Sequence, residues 1–300
     1  MATTSASTEM RLVAPRRSVR AHILEVWEYR ELLGQLIRKE LKVKYRDSTL
    51  GFAWSLLNPA FLMAIYYVVF QIFLKVGIAR FPVWLLSAML VWNFFASSLA
   101  AGTGSITANN YLIGKVRFPR EVLPLASVGA AFVHLCLQYS VLLLVIAGFR
   151  TGVAWTYMPI VPLALLSIVL LACALAIILG SVNVYARDTQ HLLELTLLAW
   201  FWLTPIIYQF SIVTAELKRR GLPLNLALLN PVTSITLTFQ RVFYGKAAVG
   251  SGKKHLVLLP LEGPGWYLRN VVVVLVISAA LVLLSFWIFD RAEGNFAEAI

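Results

Sequence analysis

Few side chains in this 300-residue chain have the type and spacing for covalent chemistry. The three aspartates, Asp47, Asp188 and Asp290, are never paired as the D-x-D that often holds a metal in sugar-nucleotide transferases. The four histidines, His22, His134, His191 and His255, lack metal-ligand spacing. A phosphate-binding loop needs G-x-x-x-x-G-K-[ST]. Gly252-Lys253 comes nearest, but Ala247 stands where the first glycine belongs and Lys254 follows the lysine. The chain has no such loop for ATP, and the reading assigns it no catalytic residue and no metal. Cys136 and Cys173 lie in apolar runs and read as small apolar residues, not as a disulfide.

What remains is a set of cations and a set of rings. Arg38, Lys39, Lys42, Lys44 and Arg46 form a basic cluster suited to phosphates, anionic head groups or an acidic partner. The rings lie inside apolar runs: Tyr66, Phe70 and Phe73 at helical spacing, then Trp92, Phe94 and Phe95, then Trp200, Phe201 and Trp202.

The elements that must carry these residues follow from composition. With 60% apolar and 13% charged residues, and a mean hydropathy of +0.79, the chain cannot cover a water-facing surface with polar groups. It reads as an all-α integral membrane protein. Six segments are long and apolar enough to span about 30 Å of hydrocarbon: 51–75, 82–101, 122–148, 157–182, 192–213 and 268–289. Residues 1–21 read as a mobile tail, 22–48 as an amphipathic helix in the plane of the interface, and 49–300 as the transmembrane domain. A further apolar stretch, 222–245, is broken by Pro223 and Pro231 and reads as a re-entrant hairpin between the fifth and sixth spans.

The net charge of +12 sits outside the spans. With the long loop after the fifth span set aside, fifteen Lys and Arg fall on the side of the termini and three on the other, which predicts cytoplasmic termini. Within the spans, ionisable residues are almost absent, with His134 in the third and Glu194 at the edge of the fifth. Transport driven by a coupling ion is therefore disfavoured, because it needs such groups at depth.

Four stretches carry a resemblance. They are Lys44-Tyr45-Arg46-Asp47 running on to Leu57-Asn58-Pro59, the loop from Asn109 to Pro124 with its Phe118-Pro119-Arg120-Glu121 core, Ala186-Arg187-Asp188 followed by Trp200 to Tyr208, and Leu229-Asn230-Pro231 with Gln240-Arg241. Together they resemble the permease subunit of ABC type-2 polysaccharide exporters, the group handling O-antigens, teichoic acids, capsules and other lipid-linked glycans. The resemblance covers about residues 30–290. It implies a homodimer in a bacterial plasma (inner) membrane, bound to two copies of a separate ATP-binding subunit that holds ATP and Mg, with no cofactor on this chain and no nucleic acid as partner. It further implies that Tyr111, Leu112, Lys115, Arg117, Phe118, Pro119, Arg120 and Glu121 form the segment docking on the ATPase, and that Asn230, Pro231 and Arg241 belong to an outer gate.

The residues agree with a glycan cargo. Aromatic rings hold the apolar faces of sugars weakly and let them slide, and the basic cluster would meet a lipid diphosphate arriving from the cytoplasm. Two rival readings are a drug or small-lipid permease, which predicts a greasy cavity in place of an aromatic lane, and a membrane glycosyltransferase, which needs Asp47 or Glu121 as a water-accessible base.

Overall fold

The computed structural model describes residues 19–44, 46, 48, 51–76, 78–113, 115–116, 118–148, 152–249 and 256–293, and their regular structure is helical apart from one short strand pair. α1 (Val19–Glu28) and α2 (Arg30–Lys44) come first. α3 (Trp54–Tyr67) runs on through a π-helical turn, Val68–Phe73, where the Leu74 N–H reaches back to the Val69 carbonyl. Then follow α4 (Phe81–Ala108), α5 (Asn110–Ile113), α6 (Val122–Gly148) and α7 (Val161–Tyr185). The last part holds α8 (Thr189–Leu203), α9 (Phe210–Arg219), α10 (Pro231–Phe243) and α11 (Pro264–Glu293). Between α10 and α11, β1 (Ala248–Val249) pairs antiparallel with β2 (Leu256–Val257).

Five helical stretches are long and apolar enough to cross a membrane: Leu56–Phe73, Phe81–Ala108, Val122–Gly148, Trp155–Tyr185 and Pro264–Ala292. They overlap five of the six expected spans. The expected segment 192–213 is not one helix. Pro205 has no N–H to continue the ladder and pushes the preceding residue out of the α region. Thr204 is accordingly extended (φ −102°, ψ 128°), and α8 ends at Leu203 after 15 residues, about 22 Å of rise. The helix resumes at Phe210. The stretch 222–245 holds a 3-10 turn, Leu224–Leu228, and α10, in which every residue from Val232 to Gln240 is buried.

α4 is the axis of the bundle. Its close partner is α7, and small residues set the spacing: a Cβ on Gly102 would lie 2.6 Å from the Ala176 Cβ, and one on Gly180 would lie 3.1 Å from the Gly102 carbonyl oxygen. α6, α10 and α8 complete the wall around α4, and α11 packs along α7.

The N-terminal helices differ from the expected single helix of residues 22–48. The chain turns at Tyr29, and the apolar stripe of α2 does not face lipid alone. Leu36, with Leu32, Leu33 and Ile37 beside it, packs on Val122, Leu123 and Ala126 of α6. Gly129 makes room for Ile37, whose Cδ1 lies 2.5 Å from where a Cβ would be.

The bundle has two ends. At the base, where α4, α7 and α11 finish, α1 packs its His22 ring on Phe286 at 6.3 Å between centroids. At the crown, the Tyr244 hydroxyl donates to the Ala79 carbonyl at 2.7 Å and the Tyr157 hydroxyl to the Glu262 carbonyl at 3.1 Å. Gly245 there has φ +77°, and a Cβ would fall 2.0 Å from the Gly152 oxygen, so no other residue fits.

Candidate functional site

The loop joining α4 to α6 lies at the base. Tyr111 is 72% exposed, and the Lys115 ammonium folds back over its ring, 3.9 Å from the centroid, and donates to its hydroxyl. Val116, not singled out by the sequence, is the second exposed apolar residue of this tip. Leu112 and Phe118 turn the other way and join the Leu36 cluster, so they fasten the loop to α2. Pro119 is buried and Arg120 half-buried. Glu121 is 1% exposed and lies 3.9 Å from His22, whose other ring nitrogen is 3.8 Å from Asp290. Its carboxylate is thus an internal tie between α1, α6 and α11, which removes it as the water-accessible base of a glycosyltransferase. Asp47 and Arg117 lie outside the described residues.

The basic cluster is exposed along α2 and just beyond it. Lys39 donates to the Asn109 side-chain oxygen at 2.6 Å, tying α2 to the end of α4. Arg38, Lys42, Lys44 and Arg46 are open to the outside. Although the Lys44 side chain reaches the outside, the protein around its ammonium partly desolvates it, which disfavours the charged form and lowers its pKa from the ordinary lysine value.

The rings form a connected system. Trp92 meets Phe95 at 5.8 Å and Phe201 at 5.6 Å, Phe95 meets Trp200 edge-on at 5.1 Å, and Tyr66 stacks on Phe201 at 6.5 Å. Phe70 joins through Tyr66 and Trp202 through Phe201. α3, α4 and α8 are thereby linked by aromatic contact near the middle of α4. Among the described residues no ring contact joins Phe73 to this system, and across the nine rings the exposures diverge. Trp92, Phe94 and Phe95 are enclosed by the bundle, whereas Phe73 and Trp202 stand open at 72% and 52%. Phe94 packs away from the others, on Phe132 of α6.

Trp200 and Asn230, assigned by sequence to different sites, meet directly. The Trp200 indole N–H donates to the Asn230 Oδ1 at 2.9 Å, and the Asn230 amide donates to the Thr204 hydroxyl at 2.8 Å. That hydroxyl donates to the Trp200 carbonyl at 2.8 Å and closes the ring of bonds. Asn230 also caps α10 by accepting from the Val232 N–H at 3.1 Å, with Pro231 opening the helix. The free end of α8 and the start of α10 are therefore pinned together beside Phe95. Arg241 is held at the crown, its guanidinium 4.5 Å over the Tyr157 ring and donating to the Gly245 carbonyl at 3.1 Å. Pro231 is half-buried.

One feature had no signal in the sequence. Between the ends of α4, α7 and the start of α8 lies a cavity of about 620 Å³, lined mostly by small and polar residues from α2, α4, α5, α6, α7 and α8.

A bundle of long apolar helices with a polar loop at its base defines the class as an integral membrane protein of the helical kind. Comparison with known proteins gives the family. Residues 31–240 match the model described as ABC-2 type transporter. The chain is 33% identical over 278 residues to the O-antigen export system permease protein RfbA of Myxococcus xanthus, covering 93% of this chain and 98% of that protein. It is 30% identical over 215 residues to the RfbA protein of the same description from Klebsiella pneumoniae, covering 71% and 80%. The chain belongs to the ABC-2 type transporter family, as the permease and not as an enzyme, and the family implies an ATP-binding partner.

Proposed function

We propose that the chain is the permease of an ATP-driven exporter that moves a lipid-linked polysaccharide out of the bacterial cytoplasm for envelope assembly. The observation that carries this reading is the 33% identity extending over 98% of an O-antigen export permease. The working unit is a homodimer of this chain in the plasma membrane with two ATP-binding subunits, which hold ATP and Mg. Support for the pairing comes from the faces of α3 and α8 that the rest of the chain leaves uncovered, among them Phe61, Ile65, Leu192, Leu195 and Leu198. The chain crosses the membrane six times, the passage through α8 and residues 204–209 adding to the five long helices, with the stretch 222–245 as the re-entrant hairpin. Both termini are cytoplasmic, and α1 and α2 lie along the inner membrane surface.

In this reading the exposed tip with Tyr111 and Val116 docks on the ATPase. Arg38, Lys42, Lys44 and Arg46 receive the lipid diphosphate, and the open rings Phe73 and Trp202, with the half-open Tyr66, Phe70, Trp200 and Phe201, guide the glycan. ATP hydrolysis in the partner supplies the work. Depleting the chain should leave lipid-linked glycan on the cytoplasmic side, detected by glycan-specific labelling of sealed and opened cells. Undiminished export in depleted cells overturns the reading.

A further inference from the structure

The cavity at the base has a definite hydrogen-bonding character. Its back wall is Asn183, in the last turn of α7 and 1% exposed, whose side-chain oxygen has no hydrogen-bond partner among the described residues. The amide of Asn183 makes only a long bond, 3.4 Å, to the Thr107 hydroxyl. The hydroxyl hydrogens around it point into helix backbone: Thr107 donates to the Gly104 carbonyl at 3.0 Å, and Ser105 to the Gly102 carbonyl at 2.7 Å. Each hydroxyl therefore turns lone pairs toward the space. The lining also holds one carboxylate, Glu40 of α2, one guanidinium, Arg187, and the side-chain amides of Asn110 and Gln190. The floor on α4, from Ala100 to Ala108, is small and flat.

A space lined by hydroxyls, side-chain amides and one buried amide oxygen without a partner among the described residues suits a ligand that offers O–H donors to the acceptors and oxygen lone pairs to the amides. A fully ionised diphosphate offers only acceptors and would need several cations, and Arg187 is the single cation among the lining residues. A lysine from a protein partner donates well, but it would leave most of 620 Å³ unfilled, and Glu40 is the only carboxylate there to receive it. A sugar ring meets both demands, with hydroxyls around its edge and a C–H face for the alanine floor. The volume lies in the range of small-molecule sites, roughly 300–1,000 Å³. We infer that this cavity is a sugar-binding site, one in each copy of the chain, that holds one or two rings of the glycan cargo by their hydroxyl hydrogens as it enters. The inference rests on the polysaccharide-export reading and adds to it a place where cargo is recognised as sugar, separate from the basic cluster.

The test uses the full permease reconstituted with its ATP-binding partner in nanodiscs. Cys136→Ala and Cys173→Ala remove the native thiols, and Ala101→Cys places one thiol on the cavity floor. The probes are methyl glucoside, methyl galactoside and methyl mannoside, with sodium pyrophosphate as the control anion. At least one glycoside should slow maleimide labelling of Ala101→Cys severalfold while pyrophosphate leaves it unchanged. Asn183→Leu should abolish that protection. Gly104→Leu should lower glycan export by about tenfold, the equivalent of one or two lost hydrogen bonds, with ATPase assembly and ATPase rate kept. That variant should fold, because a Cβ at Gly104 meets only the flexible Gln190 amide, at 3.0 Å. Protection by pyrophosphate alone overturns the inference in favour of an anion site. Protection by the ATP-binding subunit alone, with Gly104→Leu shedding that subunit, overturns it in favour of a docking socket. Labelling indifferent to every probe removes the site altogether. If glycosides protect but depleted cells still export glycan, the export reading fails and the sugar site stands; if export needs the chain but no glycoside protects, the reverse holds.

Discussion

α3 and α4 are both apolar enough to span a bilayer, yet they have opposite surroundings. In an apolar 18-residue stretch of α4, 78% of residues are buried within the chain; in Leu56–Phe73, from α3 through its π-turn, the share is 6%. Hydropathy measures compatibility with hydrocarbon and does not distinguish lipid from protein as the neighbour. What distinguishes them is side-chain size at the contacts. α4 carries Gly102, Gly104 and Ser105 where other helices approach, while α3 presents Phe61, Ile65 and Ile72 outward. The enclosed helix is specified by close fit, and the uncovered one by what it meets outside the protomer.

The contrast can be broken most sharply with two phenylalanines. Phe95→Ala, in the enclosed region, should cost about 3–5 kcal/mol through the cavity it leaves. Phe73→Ala, in the uncovered region, should stay within about 0.5 kcal/mol. Thermal unfolding of the detergent-purified protein reads both, and equal losses would show that α3 is buried in the assembly as deeply as α4. The glycines extend the comparison. Gly102→Leu drives a side chain into Ala176 and should cost about 1–3 kcal/mol in the same assay. Asn230→Ala removes the α10 cap and its bonds to Trp200 and Thr204, and should cost about 1–2 kcal/mol. It should also raise hydrogen exchange at the start of α10. In the opposite direction, Gly34→Ala in α2 meets nothing within 4 Å and should stabilise by about 0.5–1 kcal/mol.

The smallest effect concerns α9. Hydrogen bonds from Arg219 and Arg220 hold the Glu216 carboxyl below its ordinary value of 4.5. A depressed folded value means the contribution is present above the ordinary carboxylate range and is lost as pH falls through the depressed value. Exchange protection of α9, corrected for the intrinsic rate, should weaken slightly in that acidic window, and Glu216→Gln should remove the change.

How much of this was legible depended on whether the deciding residue was local. The segment 122–148 was readable to the residue because Pro119, Pro124 and Gly148 bracket an uninterrupted apolar run. The end of α4 was not. Residues 102–108 look like loop because their glycines and hydroxyls answer to α7 and to a cavity wall far away in sequence. Pro205 was visible, but the apolar run around it masked the break it makes in α8. Glu121 was read as an outward charge because His22 and Asp290, which surround it, lie 99 and 169 residues away. The cavity left no trace because its unremarkable lining residues are scattered over six helices, four of them giving one residue each.

The approach of His22 to Asp290, at 3.8 Å, has a consequence for counting. His22 precedes the first long helix and Asp290 closes the last, and in the proposed topology their meeting puts entry and exit at one face of the bilayer. A polypeptide that starts and finishes on the same face has traversed it an even number of times, whereas an odd tally would hold these two residues about 30 Å apart. Five long helices among the described residues then leave one passage to restore parity, and that is the role proposed for the interrupted run from Thr189 through Phe210.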